Sequence, residues 1–179
     1  MEQWGFYFDQ SRCVGCYACI MACKFKNHSE PDVFWRRMVW TEKNGSDVFV
    51  PLSCLHCANP LCVKACPVDA ISKRGKDGIV LVDASKCLGK DKCDKCFKAC
   101  PYDAPQFGSD VDSKMNKCDC CVDMLAENKM PYCVSHCSHK ALDAGPLEEL
   151  KAKYGDQQIA LGFKYSKSAK PSSVMKSAQ

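Results

Sequence analysis

The sequence predicts an α+β fold of short strands, short helices and hairpins, hung between long cysteine-rich loops. Three observations predict it. Sixteen of the 17 cysteines fall into four sets of four along 179 residues. Short apolar runs lead into three of those sets, and proline follows the last cysteine of two. An aromatic content of 9%, with that many cysteines committed, leaves little for an ordinary hydrophobic core, so metal–thiolate bonds are expected to supply the framework and to be coupled to folding.

The first set is CVGCYACIMAC, with Cys13, Cys16, Cys19 and Cys23. The second, CLHCANPLCVKACP, places Cys54, Cys57, Cys62 and Cys66 before Pro67. The third, CLGKDKCDKCFKACP, places Cys87, Cys93, Cys96 and Cys100 before Pro101. The fourth is looser, with Cys118, Cys121, Cys133 and Cys137. Three closely spaced thiolates on one loop can hold three irons of a cubane, while the fourth cysteine is carried off by the next turn. In bacterial two-cluster ferredoxins that fourth cysteine ligates the other cluster. The chemistry implied is one-electron transfer.

Other uses of cysteine fit less well. A secreted disulfide scaffold is disfavoured by the odd count and by the opening MEQWGFYFDQSRC, which has neither a basic n-region nor an apolar h-region. Structural zinc pairs two CxxC knuckles across a long gap. Only the fourth set looks like that, and its own spacing leaves zinc and iron–sulfur open. No βαβ pattern surrounds any CxxC as a thioredoxin-type motif would require.

In chain order, FYFDQSRC reads as a short buried strand feeding Cys13, and VLVDASKC repeats it before Cys87: apolar residues, aspartate, any residue, serine, a basic residue, then the ligand. DVFWRRMVWTE and DVFV flank Asn44-Gly45, a type I′ hairpin signal, with Phe34, Trp35 and Trp40 as packing aromatics. VFVPLSC is a third lead-in, its Pro51 confined to an edge or strand end. Pro67 and Pro101 are expected to open short helices after their cysteines. PLEELKAKY, from Pro146 to Tyr154, reads as one helix closed by Gly155. The terminal SKSAKPSSVMKSAQ is polar and low in complexity, so residues 156–179 are expected to be a disordered tail or an arm ordered by a partner.

The formal charge of +4 is offset by the expected cofactors. Each cubane with its four thiolates carries about −2, so four bring the balance to about −4. Lys86, Lys90, Lys92, Lys95 and Lys98 alternate with Asp91 and Asp94 as a solvated loop, which does not make a nucleic-acid patch. No run of 18 apolar residues is present, so no membrane span is expected, and the protein is expected to be soluble or peripheral to a membrane through partners. His56 and His136 adjoin ligand cysteines and can donate to a cluster, although surface or packing roles are the ordinary expectation. Cys120 is left over as a free buried thiol.

Together these motifs resemble the iron–sulfur subunit of dimethyl sulfoxide reductase and the related four-cluster subunits of molybdenum or tungsten bis-pterin enzymes. The resemblance runs from Gly5 to about Tyr154 through WGFYFDQSRCVGCYAC, SCLHCANPLCVKACP, ACPYDAPQF, KCDCC…PYCVSHC and ALDAGPLEELKAKYG. It implies two ferredoxin-like halves, each with two 4Fe–4S clusters: residues 1–50 with 102–155, and residues 51–101. It implies clusters on Cys13, Cys16, Cys19 and Cys137; on Cys118, Cys121, Cys133 and Cys23; on Cys54, Cys57, Cys62 and Cys100; and on Cys87, Cys93, Cys96 and Cys66. It further implies a subunit with no catalysis of its own, relaying electrons between a large pterin subunit and a quinone-linked membrane anchor or soluble acceptor. A free-standing polyferredoxin and a zinc-stapled interaction module are the alternatives. Two departures stand out. Three extra residues separate Cys87 from Cys93, with Lys90 where the second cysteine usually lies, so a 3Fe–4S cluster is the alternative there. Ser138 replaces the usual proline after Cys137.

Overall fold

The computed structural model describes residues 2–178. Its centre is a three-stranded sheet of order β6-β1-β7. Strand β1 (Trp4–Asp9) runs antiparallel to β6 (Leu142–Pro146) and parallel to β7 (Ser173–Lys176). Two hairpins flank it: β2 (Arg36–Lys43) with β3 (Ser46–Ser53), and β4 (Ile71–Lys73) with β5 (Val80–Val82). Between the strands lie helices α1 (Ala18–Asn27), α2 (Leu61–Ala65), α3 (Lys95–Ala99), α4 (Val122–Ala126), α5 (Tyr132–Ser135) and α6 (Leu147–Tyr154). The result is a mixed fold of ferredoxin-type loops, strands and helices.

The repeated lead-in has a physical cause. Asp9 accepts hydrogen bonds from the backbone N–H and hydroxyl of Ser11, at 3.0 and 2.5 Å. Asp83 accepts the same pair from Ser85, at 3.0 and 2.6 Å. Each Asp-x-Ser turn swings the chain out of its strand and delivers the first cysteine of a motif, which is why aspartate and serine recur at the same offset from Cys13 and Cys87. The Asn44-Gly45 turn has φ of 52° and 75°, the two left-handed residues of a type I′ turn. Pro51 lies within β3 opposite Met38, tolerated because a two-stranded ribbon has only edge strands. Helix α6 ends at Gly155, whose φ of +87° a β-carbon would oppose.

Two expectations are corrected. The short helices precede Pro67 and Pro101 instead of following them. Cys66 and Cys100 are the C-cap residues of α2 and α3, and the chain then turns through Asp69 and Asp103 at φ of 50° and 48°, which forbids helix continuation. The terminal segment, for its part, is ordered by the protein itself. Ser172, Ser173 and Val174 are fully buried, and β7 adds to the open edge of β1, whose unpaired backbone groups need partners. Polar composition hides this, since a parallel edge strand is held by main-chain hydrogen bonds that any sequence can make.

One buried apolar core joins Phe6, Phe8 and Ile20 to Leu52, Leu55, Ile79 and Tyr102 and takes in cysteines of the first, second and fourth motifs. A smaller cluster surrounds Ile71, Val80 and Met115. Among the described residues no helix is long and apolar enough to cross a membrane.

Candidate iron–sulfur centres

Three small cavities of similar size lie along the interior, and each is walled by four cysteines. Cys13, Cys16, Cys19 and Cys137 line one, under Phe8 and Leu142. Cys54, Cys57, Cys62 and Cys100 line the second, with Tyr102 and Ala169. Cys87, Cys93, Cys96 and Cys66 line the third, with Ile71 and Met115. In each, three cysteines come from one motif and the fourth from another. The remaining four share a buried region in which the thiols bear on one another's charge. Burial pushes Cys23 up to about 12, with Cys133 and Cys121 adding to it. Cys118 is raised well above its ordinary value by burial, then by Cys120, Cys23 and Cys133.

The donor set fits an iron–sulfur cluster. All seventeen cysteines are free thiols. Among the described residues no three His, Cys, Asp or Glu side chains come close enough to hold a single metal ion. Thiols spread around a cavity suit a polynuclear group, whereas four-coordinate zinc needs its sulfurs converging on one point about 2.3 Å away. Burial raises Cys19 and Cys121 to about 11 and Cys62 to about 12. Such thiols ionise only against strong positive charge, which iron supplies. Backbone N–H groups are already aimed at the sulfurs: Ala70 donates to Cys66 Sγ and Ala141 to Cys137 Sγ, both at 3.3 Å, and Met115 to Cys87 Sγ at 3.5 Å. The first two are the same local turn, four residues beyond the last cysteine of the second motif and of the fourth. Among the described residues, three buried donors, Trp35 Nε1, Arg36 Nε and His56 Nε2, find no acceptor, an omission that cluster sulfurs would remedy.

The insertion in the third motif points outward. Lys90 is exposed and lines a separate surface cleft with Asp91, Asp94, Phe97 and Phe107. Its backbone N–H is held by Ser113 O at 3.1 Å, and the Cys93 N–H closes a turn on Gly89 O at 3.0 Å. Gly89 makes that turn with φ of +91°. Four cysteines therefore still surround this cavity.

Several residues near the centres carried no signal in the sequence. Arg36 is fully enclosed between motifs. Lys117 is buried, its ammonium donating to the carbonyls of Val80 and Cys118 beside the second-motif cavity. Ala169 comes from the tail: Ala58 and Asn59 N–H donate to the carbonyls of Lys170 and Ala169, at 2.8 and 3.0 Å, so this strip covers the second-motif loop. His56 is completely buried, and burial holds it neutral; its Nδ1 accepts from the Val80 N–H at 3.1 Å. His136 is an exposed residue bonded to Tyr132 O. Cys120 is fully buried, with its N–H toward Cys118 Sγ at 3.4 Å.

Comparison with known proteins follows the same lines. Residues 46–147 match a 4Fe-4S dicluster domain, and residues 4–25 a 4Fe-4S binding domain. The protein is 42% identical to the B subunit of the anaerobic dimethyl sulfoxide reductase of Escherichia coli (strain K12), over 97% of its own length and 88% of that subunit. It is 40% identical to the thiosulfate reductase electron transfer subunit PhsB of Salmonella typhi, over 83% and 78%. It is 35% identical to the formate dehydrogenase iron-sulfur subunit of Wolinella succinogenes, over 81% and 82%.

Proposed function

Because this protein belongs to the family of 4Fe–4S electron-transfer subunits that includes the B subunit of anaerobic dimethyl sulfoxide reductase, we propose that it relays single electrons through four cubanes in a row. It is the electron-carrying subunit of an oxidoreductase complex, not the catalytic one. When bound, each cubane supplies a one-electron couple whose potential the surrounding protein sets. The protein's own residues hold the cubanes, exclude water from them and place them in order. One pair is assigned to residues 1–50 with 102–155, on Cys13, Cys16, Cys19 and Cys137 and on Cys118, Cys121, Cys133 and Cys23. The other is assigned mainly to 51–101, on Cys54, Cys57, Cys62 and Cys100 and on Cys87, Cys93, Cys96 and Cys66. The observation that carries this reading is the crossed origin of the cysteines around each cavity. Cys54 bears on the charge of Cys118, which supports adjacency of the second- and fourth-motif clusters at the middle of the row.

The two ends of the row then face two partners. The first-motif end carries an exposed apolar patch of Val14, Tyr17, Met21 and Phe25, with Tyr17 at the N-cap of α1 and Met21 and Phe25 four apart along it. Its occupant is proposed to be the large molybdenum or tungsten bis-pterin subunit, since a patch of this kind on a family member with an obligate catalytic partner is covered in the complex. The third-motif end, with its lysine-rich loop and the cleft at Phe97, is assigned to the electron donor or acceptor, either a membrane-anchor subunit or a soluble carrier. Any attachment to a membrane runs through that partner.

Anaerobically purified protein is expected to contain about 16 iron atoms and about 16 acid-labile sulfides per polypeptide. About four zinc ions without sulfide would overturn the reading.

A further inference from the structure

Nothing in the composition of residues 166–172 points to a cofactor, yet this stretch lies along the second-motif loop and is bonded to it from end to end. The Ser172 N–H donates to Leu55 O and the Ser172 hydroxyl to His56 O, both at 3.0 Å. The Ala58 N–H donates to Lys170 O at 2.8 Å and the Asn59 N–H to Ala169 O at 3.0 Å. The Asn59 side-chain amide reaches Ser168 O at 2.6 Å. At the far end the Ser166 N–H donates to the hydroxyl of Tyr102, two residues beyond Cys100, at 3.0 Å. Residue 172 meets residue 55 and residue 169 meets residue 59, so the two stretches run antiparallel and their bonds bracket Cys57.

The stretch has two sides. Ala169, Pro171 and Ser172 are buried, and Ala169 forms part of the wall around Cys54, Cys57, Cys62 and Cys100. Lys167, Ser168 and Lys170 are exposed. A turn makes this division: the Lys170 N–H closes on Ser166 O at 2.9 Å, the Ala169 N–H on Ser166 Oγ at 3.2 Å, and Lys170 takes φ of +52°. Among the residues walling this cavity Pro101 alone is exposed. The cavities at the ends of the row are more open, with Val14, Cys16 and Tyr17 exposed in the first-motif wall and Leu88 in the third.

We propose that residues 166–172 are an insulating strap for the second-motif cluster. They close its loop to water and to soluble oxidants, so that only the neighbouring clusters exchange electrons with it. The proposal rests on the ligand assignment given above for that cavity. A carrier in the middle of a row needs such a cover. A diffusible oxidant such as dioxygen that met it would take up the electron, leaving the cluster oxidised and the far end of the row unreduced. Excluding that side reaction is work for a wall, and a wall of methyl and main chain offers no group through which a second partner could dock. The strap is held mainly by hydrogen bonds, each of modest net strength, so the loss of one or two is expected to open it locally while the fold survives.

The test compares the anaerobically purified complex with its Asn59→Ala, Ser172→Ala double variant, which removes two side-chain bonds of the strap and leaves every cysteine in place. Each is treated with excess ferricyanide for increasing times and re-reduced, and the surviving clusters are read by low-temperature EPR. The second-motif signal is identified by its loss in Cys62→Ser. In the double variant that signal should decay about tenfold faster than in the parent protein, while the first- and third-motif signals decay at parental rates. Deuterium modulation of the same signal in heavy water should rise as solvent gains access. A double variant with full iron and parental decay, or with no added deuterium modulation, would overturn the proposal. Equal acceleration of all the signals would overturn it too, since that marks a general loosening. If the double variant is purified without the second-motif cluster, Asn59→Ala alone decides: faster decay of that signal upholds the proposal, and parental decay overturns it. Iron content below four clusters in the parent protein would instead break the ligand assignment.

Discussion

Around the first motif, α1 turns Met21 and Phe25 to the outside, and Tyr17 at its N-cap and Cys16 before it are exposed as well. Around the third motif the outside belongs to Lys86, Lys90, Lys92, Lys95 and Lys98, partly paired as Lys86–Asp83 at 3.5 Å and Lys98–Asp94 at 2.9 Å. The inner walls of the two regions are alike: four cysteines, an apolar lining and a backbone N–H toward a sulfur. Cluster chemistry constrains only that inner wall, so the outer surfaces are free to suit different neighbours. An apolar face fits a lasting subunit contact, whereas solvated ion pairs of this kind contribute little to any tight interface. The supports differ as well. The first motif leans on a three-stranded sheet and a ten-residue helix, while the third leans on a ribbon of three-residue strands and five-residue helices.

The largest expected effect breaks the equivalence of the inner walls. Cys66→Ser should remove or convert the cluster of Cys87, Cys93 and Cys96, taking up to about a quarter of the iron, while the EPR signal of the cluster on Cys54, Cys57 and Cys62 persists. Loss of the latter signal would mean that the cysteines are not exchanged between motifs. In the unaltered protein the third-motif cluster should be a full cubane; a stoichiometric signal near the g-value of a 3Fe–4S cluster in the oxidised state would show that Lys90 has displaced a ligand.

A second test concerns the outer surfaces. Met21→Asp combined with Phe25→Asp should weaken capture of the catalytic subunit by on the order of a hundredfold, equivalent to about 3 kcal/mol, with iron content unchanged. Lys92→Glu combined with Lys95→Glu should leave that capture nearly as it was. Equal losses from both double variants, measured by co-purification and titration, would erase the proposed distinction between the two ends.

The smallest effect separates the supports. A methyl on Gly5 would stand 2.4 Å from Ser172 O, forcing the terminal strand off β1, so Gly5→Ala should cost about 1–3 kcal/mol and lower the melting temperature by several degrees. Gly75, in the loop between β4 and β5, has nothing within 4 Å of its added carbon, and Gly75→Ala should be nearly neutral. Equal melting temperatures for the two variants would show that β7 contributes nothing to the fold.

The four cysteine sets, the repeated Asp-x-Ser lead-in, the Asn44-Gly45 hairpin and α6 were legible in the amino-acid sequence, because each depends on residues a few positions apart. A cluster loop needs thiolates at fixed short spacing, and a tight turn needs side chains or left-handed residues at fixed offsets. Arg36, Lys117 and the burial of Ser172 to Val174 were not legible. Their roles depend on what the fold brings beside them from 17 to more than a hundred residues away, and arginine, lysine and serine are ordinary surface residues wherever composition is the only guide. By itself the sequence determined the kind of cofactor and the cysteines expected to meet it, since metal ligation is local and chemically selective. The tertiary structure brought three of the groups that the resemblance implies around cavities of their own, and it alone decided which cations lie buried and which polar strand seals the sheet, because burial and charge act through space, not along the sequence.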